Sequence, residues 1–155
     1  MKKIKTKHII TIILTMLVIS IPFISYSKNK NNEIIEYADN FIGESYVYGG
    51  TSPETGFDCS GFVQYVYAHF GVDLPRTSRE QVTCGSTVNN LSKAKAGDLI
   101  FYSMDGTDKG VCHVGIYTGN NKVLSAYNSQ PYPQGGVKVS DVVADKIYMI
   151  KRVSE

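Results

Sequence analysis

The clearest periodic segment of the chain starts at Cys59, after which apolar residues recur every three or four positions as far as Phe70. This spacing predicts an α-helix with one buried face. Asp58 is a favourable N-cap residue, and Gly56 permits a sharp turn before the cap. Cys59 is therefore predicted at the positive end of a helix, where free N–H groups and the helix dipole lower the pKa of a thiol. The alternative interpretation of Cys59 is an ordinary small core residue.

Shorter patterns on both sides of this helix predict a single mixed fold. Helical spacing occupies residues 33–42, and Thr77 followed by Glu80 is a capping box that starts a short helix. Helices before strands predict an α+β fold in which the helices pack against one small antiparallel sheet. Gly119–Asn121 is typical of a hairpin turn within that sheet. Five β-branched and aromatic runs predict its strands, at residues 99–102, 111–118, 122–127, 136–140 and 146–153.

The first 27 residues differ in composition from the rest of the chain. Four lysines lead into an uncharged, mostly apolar stretch at residues 9–24, and Ser25-Tyr26-Ser27 then offers small residues two positions apart. This layout predicts a secretory signal peptide over residues 1–27, with an uncleaved membrane anchor through residues 9–24 as the alternative. Residues 28–155 are then predicted to form one domain that is secreted or cell-wall associated, and in either case extracytoplasmic.

Charge and cysteine count narrow the function classes. The first 27 residues hold four of the 16 basic and none of the 14 acidic residues, so the remainder carries 12 basic against 14 acidic. No cluster of Lys and Arg remains that would suit a phosphate backbone, so no nucleic-acid partner is predicted. The odd number of cysteines, Cys59, Cys84 and Cys112, leaves at least one thiol unpaired, and a Cys84–Cys112 disulfide stays open. No Cys or His spacing predicts a structural metal.

A cysteine nucleophile needs a base, usually histidine, and a polar group that orients the base. His69 lies ten residues after Cys59 on the same predicted helix, about 15 Å along its axis, and cannot reach it. His113 opens the predicted strand 111–118, and Gly115 leaves space beside it on the same face. The alternative interpretation is a partly exposed helix residue for His69 and a structural strand histidine for His113. Candidates for the orienting group follow the hairpin turn: Ser125, Tyr127, Asn128 and Gln130.

Five blocks of sequence resemble the NlpC-type, papain-like peptidases of bacterial cell walls. They occur in that family's order and spacing between about Ile34 and Asp141, which is nearly the whole chain after residue 27. The blocks are Tyr46-Val47-Tyr48-Gly49-Gly50-Thr51 with Phe57-Asp58-Cys59-Ser60-Gly61-Phe62, Leu74-Pro75-Arg76-Thr77-Ser78, Ala96-Gly97-Asp98-Leu99-Ile100-Phe101, and His113-Val114-Gly115-Ile116-Tyr117-Thr118-Gly119.

The resemblance implies a papain-like fold with Cys59 as nucleophile, His113 as base and no metal or cofactor. It also implies an oxyanion site built partly from the backbone N–H of Cys59, which agrees with a helix start that favours negative charge. Tyr46, Asp58 and Ser60 match residues that line the family's substrate cleft. There the aspartate meets the free amine of the stem peptide. Asp58 as a helix cap alone, and Tyr46 as mere packing, are the alternatives.

One position departs from the family's pattern. The family often has a second histidine twelve residues after the base, as its orienting group, and this chain has Ser125 there. Other members use Asn or Gln as the third polar residue. We therefore expect Ser125 or Asn128 to orient His113.

The function that the resemblance implies is a secreted cysteine endopeptidase that hydrolyses peptidoglycan stem peptides, most often at the bond between γ-D-glutamyl and the diamino acid. The serine at position 125 supports one alternative, a weak or inactive domain of the same fold that binds wall peptides without cutting them. Amidase or transpeptidase chemistry on other peptides is a further alternative.

Overall fold

The computed structural model describes residues 30–104 and 110–154. The predicted signal peptide, residues 1–27, lies outside the described residues. Among the described residues, no helix combines the length and apolar character that a membrane crossing requires. The helices are α1 (Lys30–Asp39), α2 (Cys59–His69) and α3 (Ser78–Gln81); the strands are β1 (Thr51–Ser52), β2 (Gly56–Phe57), β3 (Ser86–Thr87), β4 (Leu99–Ser103), β5 (Val111–Gly119), β6 (Lys122–Tyr127), β7 (Gly136–Asp141) and β8 (Ile147–Arg152).

Six of the strands form one antiparallel sheet in the order β3-β8-β4-β5-β6-β7, and β1 pairs with β2 separately. The sheet is built around β4, all five residues of which are buried. On one face, Leu99 and Phe101 belong to the cluster that includes Phe62 and Val66 of α2. On the other face, Ile100 and Tyr102 pack in a second cluster. Helices packed on one face of an antiparallel sheet confirm the predicted α+β class.

Helix α2 has the N-terminal cap that its sequence predicts. Asp58 has an extended backbone, and its side chain accepts a hydrogen bond of 2.7 Å from the Gly61 N–H. The buried face consists of Phe62, Val63, Val66 and Tyr67 together with the first turn. Each large apolar side chain buried in this way contributes about 1.5–3 kcal/mol, so the helix is held mainly by its contact with the sheet. Helix α3 likewise has the predicted capping box on Thr77.

Several predicted bounds change in the structure. Helix α1 ends at Asp39 rather than residue 42, because the next amides turn back to carbonyls three residues earlier and Gly43 has a φ of 98°. The last strand starts at Ile147, after a 3-10 turn at Ala144–Lys146. Strands β1, β2 and β3 were not predicted, since two residues are too short to show alternation.

The backbone pairing between β5 and β6 stops before the end of β5 that carries His113. Strand β5 pairs with β4 from Val111 to Ile116, whereas its described pairing with β6 runs only from Ile116 to Gly119. The turn between them contains Asn120 and Asn121 at φ values of 50° and 56°, as a tight hairpin requires. Before Ile116, the described pairing of β5 is therefore with β4 alone. Helix α2 packs against both β5 and β6.

Candidate active site

Cys59 is the first residue of α2, directly after the cap. The helix start fits closely against the preceding loop, because a Cβ at Gly61 would lie 2.1 Å from the Gly50 carbonyl oxygen. Glycine at position 61 thus allows the helix terminus to approach the backbone of that loop. This contact fixes the position from which the thiol projects.

The thiol of Cys59 packs beside β5, where the Val114 backbone N–H is near enough to lower its pKa. Burial raises the pKa of the Cys59 thiol, and the Asp58 carboxylate raises it further. The N–H groups of Val114, Ser60 and Cys59 itself lower the pKa, but by less than burial and Asp58 together raise it. The predicted lowering of the pKa by the helix terminus is therefore wrong for the net value, because desolvation and the Asp58 charge together outweigh the amides. At rest the site holds a protonated thiol, which requires a base.

His113 is the residue before Val114, so its peptide adjoins the amide that the thiol meets. Its Nε2 lies 3.1 Å from Oγ of Ser125 on β6. The rings of Tyr102 and Tyr127 lie 5.9 and 5.6 Å from the imidazole. Burial lowers the pKa of His113 to about 4, so the ring is neutral at pH 7 and can accept a proton.

The second candidate for the orienting group is placed differently. Asn128 is exposed, and its Oδ1 accepts a hydrogen bond of 2.9 Å from the Gln130 N–H in a local turn. Its φ of 47° suits such a turn. Of the two candidates, Ser125 contacts the imidazole and Asn128 stabilises the loop after β6. His69 is also remote from the site, since it is exposed and its ring stacks on Tyr37 at 3.8 Å.

Gly115 explains how Ser125 comes so close to His113. A Cβ at position 115 would lie 2.5 Å from Cγ2 of Val123 and 2.9 Å from Cβ of Ser125. Both distances are shorter than side chains tolerate, so any larger residue would push β6 away. The space that the sequence predicts beside His113 is therefore filled by the serine that contacts it.

The carboxylate of Asp58 is surrounded by donors. Oδ1 accepts from the Gly61 N–H at 2.7 Å, from Ser60 Oγ at 3.2 Å and from Arg76 Nη1 at 3.0 Å. Oδ2 accepts from the Gly49 N–H at 3.0 Å and from Arg76 Nη2 at 2.5 Å. Burial raises the pKa of Asp58, but Arg76 and the two amides outweigh burial and hold it below its usual value. A carboxylate has about four acceptor positions, so Asp58 has none to spare for a ligand unless Arg76 moves.

Arg76 is a site residue to which the sequence analysis assigned no role. Its guanidinium holds Asp58 bidentately and also donates to Ser60 Oγ at 3.0 Å. The side chain of Gln81, fully buried in α3, donates to the Ser60 carbonyl at 3.0 Å and to the Pro75 carbonyl at 2.8 Å. The segment from Pro75 to Gln81 is thereby attached to the first turn of α2. The available signal was the position of Arg76 within the block Leu74–Ser78.

Two cavities adjoin these residues. The first, which we call the Cys59 groove, has a volume of about 660 Å³ and is lined by Tyr46, Tyr48, Asp58, Cys59, Ser60 and Arg76 among others. The second, the His113 cavity, has a volume of about 260 Å³ and is lined by His113 and Ser125 but not by Cys59. Cys112, the residue before His113, lines both. Of the predicted residues, Tyr46, Asp58, Cys59 and Ser60 line the groove and His113 and Ser125 line the cavity, whereas Asn128 and Gln130 line neither.

Tyr46 has the environment of a site residue. Burial raises the pKa of its hydroxyl, with smaller contributions from Cys59 and Asp58. Its neighbour Tyr48 is 90% exposed on the rim of the groove. All three cysteines are free thiols, so the open Cys84–Cys112 disulfide is absent. Within residues 30–104 and 110–154, no three His, Cys, Asp or Glu side chains gather as metal ligands would.

Comparison with known proteins gives consistent matches. The profile of the NlpC/P60 family matches residues 43–151. Over 109 residues the chain is 38% identical to the bifunctional muramidase/DL-endopeptidase CwlT of Bacillus subtilis, covering 70% of this chain and 31% of that protein. It is 37% identical over 101 residues to the gamma-D-glutamyl-L-lysine dipeptidyl-peptidase of the same organism, covering 65% of this chain and 33% of that protein. The chain thus spans about a third of these curated relatives.

A solved structure agrees over a whole domain. The NlpC/p60 domain of the peptidoglycan hydrolase SagA superposes with a TM-score of 0.65 at 36% identity. The superposition covers 81% of this chain and 98% of the SagA domain. The fold and the sequence therefore match the same group of proteins.

Proposed function

Since this chain belongs to the NlpC/P60 family, we propose that it is a cysteine endopeptidase that hydrolyses peptidoglycan stem peptides at the bond between γ-D-glutamyl and the diamino acid. Two of the relatives support the substrate class by name, a DL-endopeptidase and a gamma-D-glutamyl-L-lysine dipeptidyl-peptidase. Because peptidoglycan lies outside the cytoplasm, the proposal includes extracytoplasmic action, secreted or wall-associated, with residues 1–27 as signal peptide or anchor and residues 28–155 as the peptidase domain.

One observation supports this function above the others: a thiol at a helix start lies against the amide that follows a histidine, and that histidine is bonded to a buried serine. The resting pair is neutral, since burial raises the pKa of Cys59 and lowers that of His113. Proton transfer must therefore accompany attack. His113 accepts the thiol proton while sulfur bonds to the γ-carbonyl carbon, which is general base catalysis rather than a preformed ion pair.

The remaining steps use groups already at the site. The oxygen of the tetrahedral intermediate becomes negative, and the backbone N–H of Cys59 at the helix start is the donor that suits it. The C–N bond then breaks, and the leaving amine takes the proton from His113. Water, deprotonated by the same imidazole, attacks the thioester and releases the glutamyl product, which restores the thiol. Ser125 keeps the ring oriented throughout.

On the acyl side, the Cys59 groove would hold the residues before the cut. Tyr46 and Ser60 are proposed to contact the peptide there. Asp58, whose acceptor positions are occupied, would act mainly through the helix cap and Arg76. An ammonium at Asp58 would also have to approach the Arg76 guanidinium, which like-charge repulsion opposes.

The test is incubation of purified residues 28–155 with wall sacculi, followed by mass analysis of the released fragments. We expect fragments that end in γ-D-glutamate, and none from Cys59→Ala. Cys84→Ala is the matched control, because its thiol bonds only the Glu80 carbonyl at 3.8 Å, outside both cavities. Sacculi that are bound but not cut would instead support the wall-binding alternative, and fragments cut at another bond would contradict the proposed specificity.

A further inference from the structure

The loop before α2 presents an aromatic ring to solvent at the rim of the Cys59 groove. Tyr48 lines that groove and is 90% exposed, the highest value among the large apolar and aromatic side chains of the described residues. An aromatic side chain removes about 150–250 Å² from water when a partner covers it. The rim therefore carries a contact surface that the packing of the described residues does not use.

The backbone beneath this ring is fixed. Tyr48 is the second residue of a turn at residues 47–50, which a 2.8 Å hydrogen bond from the Gly50 N–H to the Val47 carbonyl closes. Gly49, with a φ of 82°, is the third residue, as in a type II turn. Its N–H donates to Oδ2 of Asp58 at 3.0 Å, and Asp58 is the cap of helix α2. The position of the turn relative to the nucleophile is thus set by the helix cap.

The charges of the groove disfavour a cationic ligand. Asp58 is the only acid among the described residues that line it, and Arg76 holds its carboxylate bidentately. Arg79 also lines the groove, so the charged lining residues sum to a positive charge. An ammonium group would be repelled there, whereas a neutral amide would not. The groove therefore suits a peptide whose first amine is acylated.

The wall substrate of the proposed function has such a group. In sacculi, the first amine of the stem peptide is joined as an amide to a neutral sugar of the glycan strand. L-Ala and γ-D-Glu separate that amide from the reacting carbonyl by roughly 7–10 Å of extended chain. The sugar would therefore leave the groove at its rim rather than beside the sulfur. One face of a pyranose ring presents C–H groups, which suit the negative face of an aromatic ring.

We propose that Tyr48 stacks on the sugar ring that carries the stem peptide, so that the domain binds glycan-attached stems in preference to released peptides. Because the turn is attached to the helix cap, this contact also sets how far the peptide reaches into the groove. The inference rests on the proposed function, because it places the acyl half of that substrate in the Cys59 groove.

The experiment compares N-acetylmuramyl-L-Ala-γ-D-Glu-L-Lys-D-Ala with N-acetyl-L-Ala-γ-D-Glu-L-Lys-D-Ala. The first amine is acylated in both peptides, so the pair isolates the sugar from the loss of the ammonium charge. We expect kcat/KM to be about tenfold higher for the sugar-bearing peptide, mainly through KM, which is the size of loss that truncation of an interface aromatic produces. In Tyr48→Ala this ratio should fall to about twofold or less. In Tyr48→Phe it should be kept, because the ring makes the contact.

Tyr132→Ala is the matched control, because Tyr132 is 54% exposed and lines neither the Cys59 groove nor the His113 cavity. It should leave the ratio unchanged. Equal kcat/KM for the two peptides, a ratio that survives in Tyr48→Ala, or loss of the ratio in Tyr48→Phe would overturn the inference.

Failure of the proposed function is distinguished by a binding measurement. If neither peptide is cut, N-acetylmuramyl-L-Ala-D-Glu and N-acetyl-L-Ala-D-Glu are titrated into Cys59→Ala and followed by calorimetry. Tighter binding of the sugar-bearing dipeptide that an added Tyr48→Ala change abolishes supports the contact without any turnover. Equal affinity, or no binding of either dipeptide, refutes it.

Discussion

The bond between His113 and Ser125 provides the sharpest test of how the site works. Ser125 is 1% exposed, and its hydroxyl lies 3.1 Å from Nε2 of the imidazole. Replacing it with alanine removes one oxygen atom and adds nothing, so the backbone of β6 and the fit against Gly115 are kept. The variant Ser125→Ala therefore reports on the hydrogen bond alone.

The expected size follows from the change of charge during the reaction. In the resting enzyme His113 is neutral, and a neutral hydrogen bond contributes about 0.5–1.5 kcal/mol. In the transition state the ring carries the thiol proton, and a hydrogen bond to a charged group contributes about 1.5–3 kcal/mol. The difference, about 1–1.5 kcal/mol, is lost only in the transition state. We expect kcat to fall about tenfold with little change in KM.

The assay is steady-state hydrolysis of a synthetic stem tetrapeptide at pH 7, with urea unfolding of the same samples. Ser125→Ala should lose about 1 kcal/mol of unfolding free energy, because the imidazole is left without its partner. Ser154→Ala is the control: Ser154 is also buried and bonds Asn31 Oδ1 at 3.5 Å, remote from both cavities. It should lose stability but keep kcat.

Two results would refute this reasoning. If Ser125→Ala and Ser154→Ala have the same kcat within twofold, Ser125 does not orient the base. If the loss appears in KM with kcat unchanged, the serine binds substrate instead, because a group that acts through the imidazole should not alter ground-state affinity.

Two further predictions concern charge. His113 must be neutral to accept a proton, and its pKa of about 4 lies below the usual 6.5. We therefore expect kcat/KM to stay constant down to about pH 5 and to fall only as the pH drops through about 4. A pH–rate profile with an acidic midpoint near 6.5 would contradict this. Arg76→Met should cost about 1–3 kcal/mol of unfolding free energy in urea at pH 7, because the Asp58 carboxylate, 11% exposed, loses its bidentate partner. Because the pKa of Asp58 is lowered in the fold, the ionised carboxylate stabilises the fold above its unfolded pKa, and this contribution is lost as the pH falls. The deficit of Arg76→Met should therefore shrink in acid. Arg79→Met, in helix α3 just after Arg76, is the control.

Much of the fold could be predicted because its long elements have strong local signals. The β5–β6 hairpin was predicted within one residue, since alternation and the Gly119–Asn121 turn agree. Helix α2 shows both a cap and an apolar stripe. Strands β1, β2 and β3 have two residues each. They are defined by pairing with distant backbone: β1 pairs with β2, in which Phe57 also pairs with Tyr46, and β3 pairs with β8. No local pattern records a contact of that kind.

The thiol pKa shows a similar limit. The sequence places Cys59 at a helix start, and a helix start favours the thiolate. Burial opposes this, and burial depends on how β5 and the loop before α2 cover the sulfur. The amides that stabilise the anion come partly from Val114, which is 55 residues away in the chain. Effects of opposite sign on the thiol pKa thus come partly from residues distant in the chain, and only the folded structure decides between them.

Which residue of β6 lies beside His113 depends on a single extra residue in the hairpin. Gly119 pairs with Lys122 next to the turn, but Tyr117 pairs with Val123, so Thr118 forms a bulge in β5. Residues opposite one another across two antiparallel strands share a face of the sheet. Without the bulge, the register from Gly119 and Lys122 would place Asn128 opposite His113. With it, Val123, Ser125 and Tyr127 lie on the face of His113.

This register explains why the sequence left Ser125 and Asn128 as alternatives. Both residues follow the turn within a few positions of the sequence. A shift of one residue in the pairing of β5 with β6 changes which face of β6 lies on the side of His113. The contacts in the structure fit the shifted register: Ser125 bonds the imidazole, Tyr127 packs edge-on against it, and Val123 would meet any Cβ at position 115. The bulge at Thr118 therefore brings a serine to the base at the position where the family often has histidine. The tenfold effect expected of Ser125→Ala is a test of that register as much as of the serine.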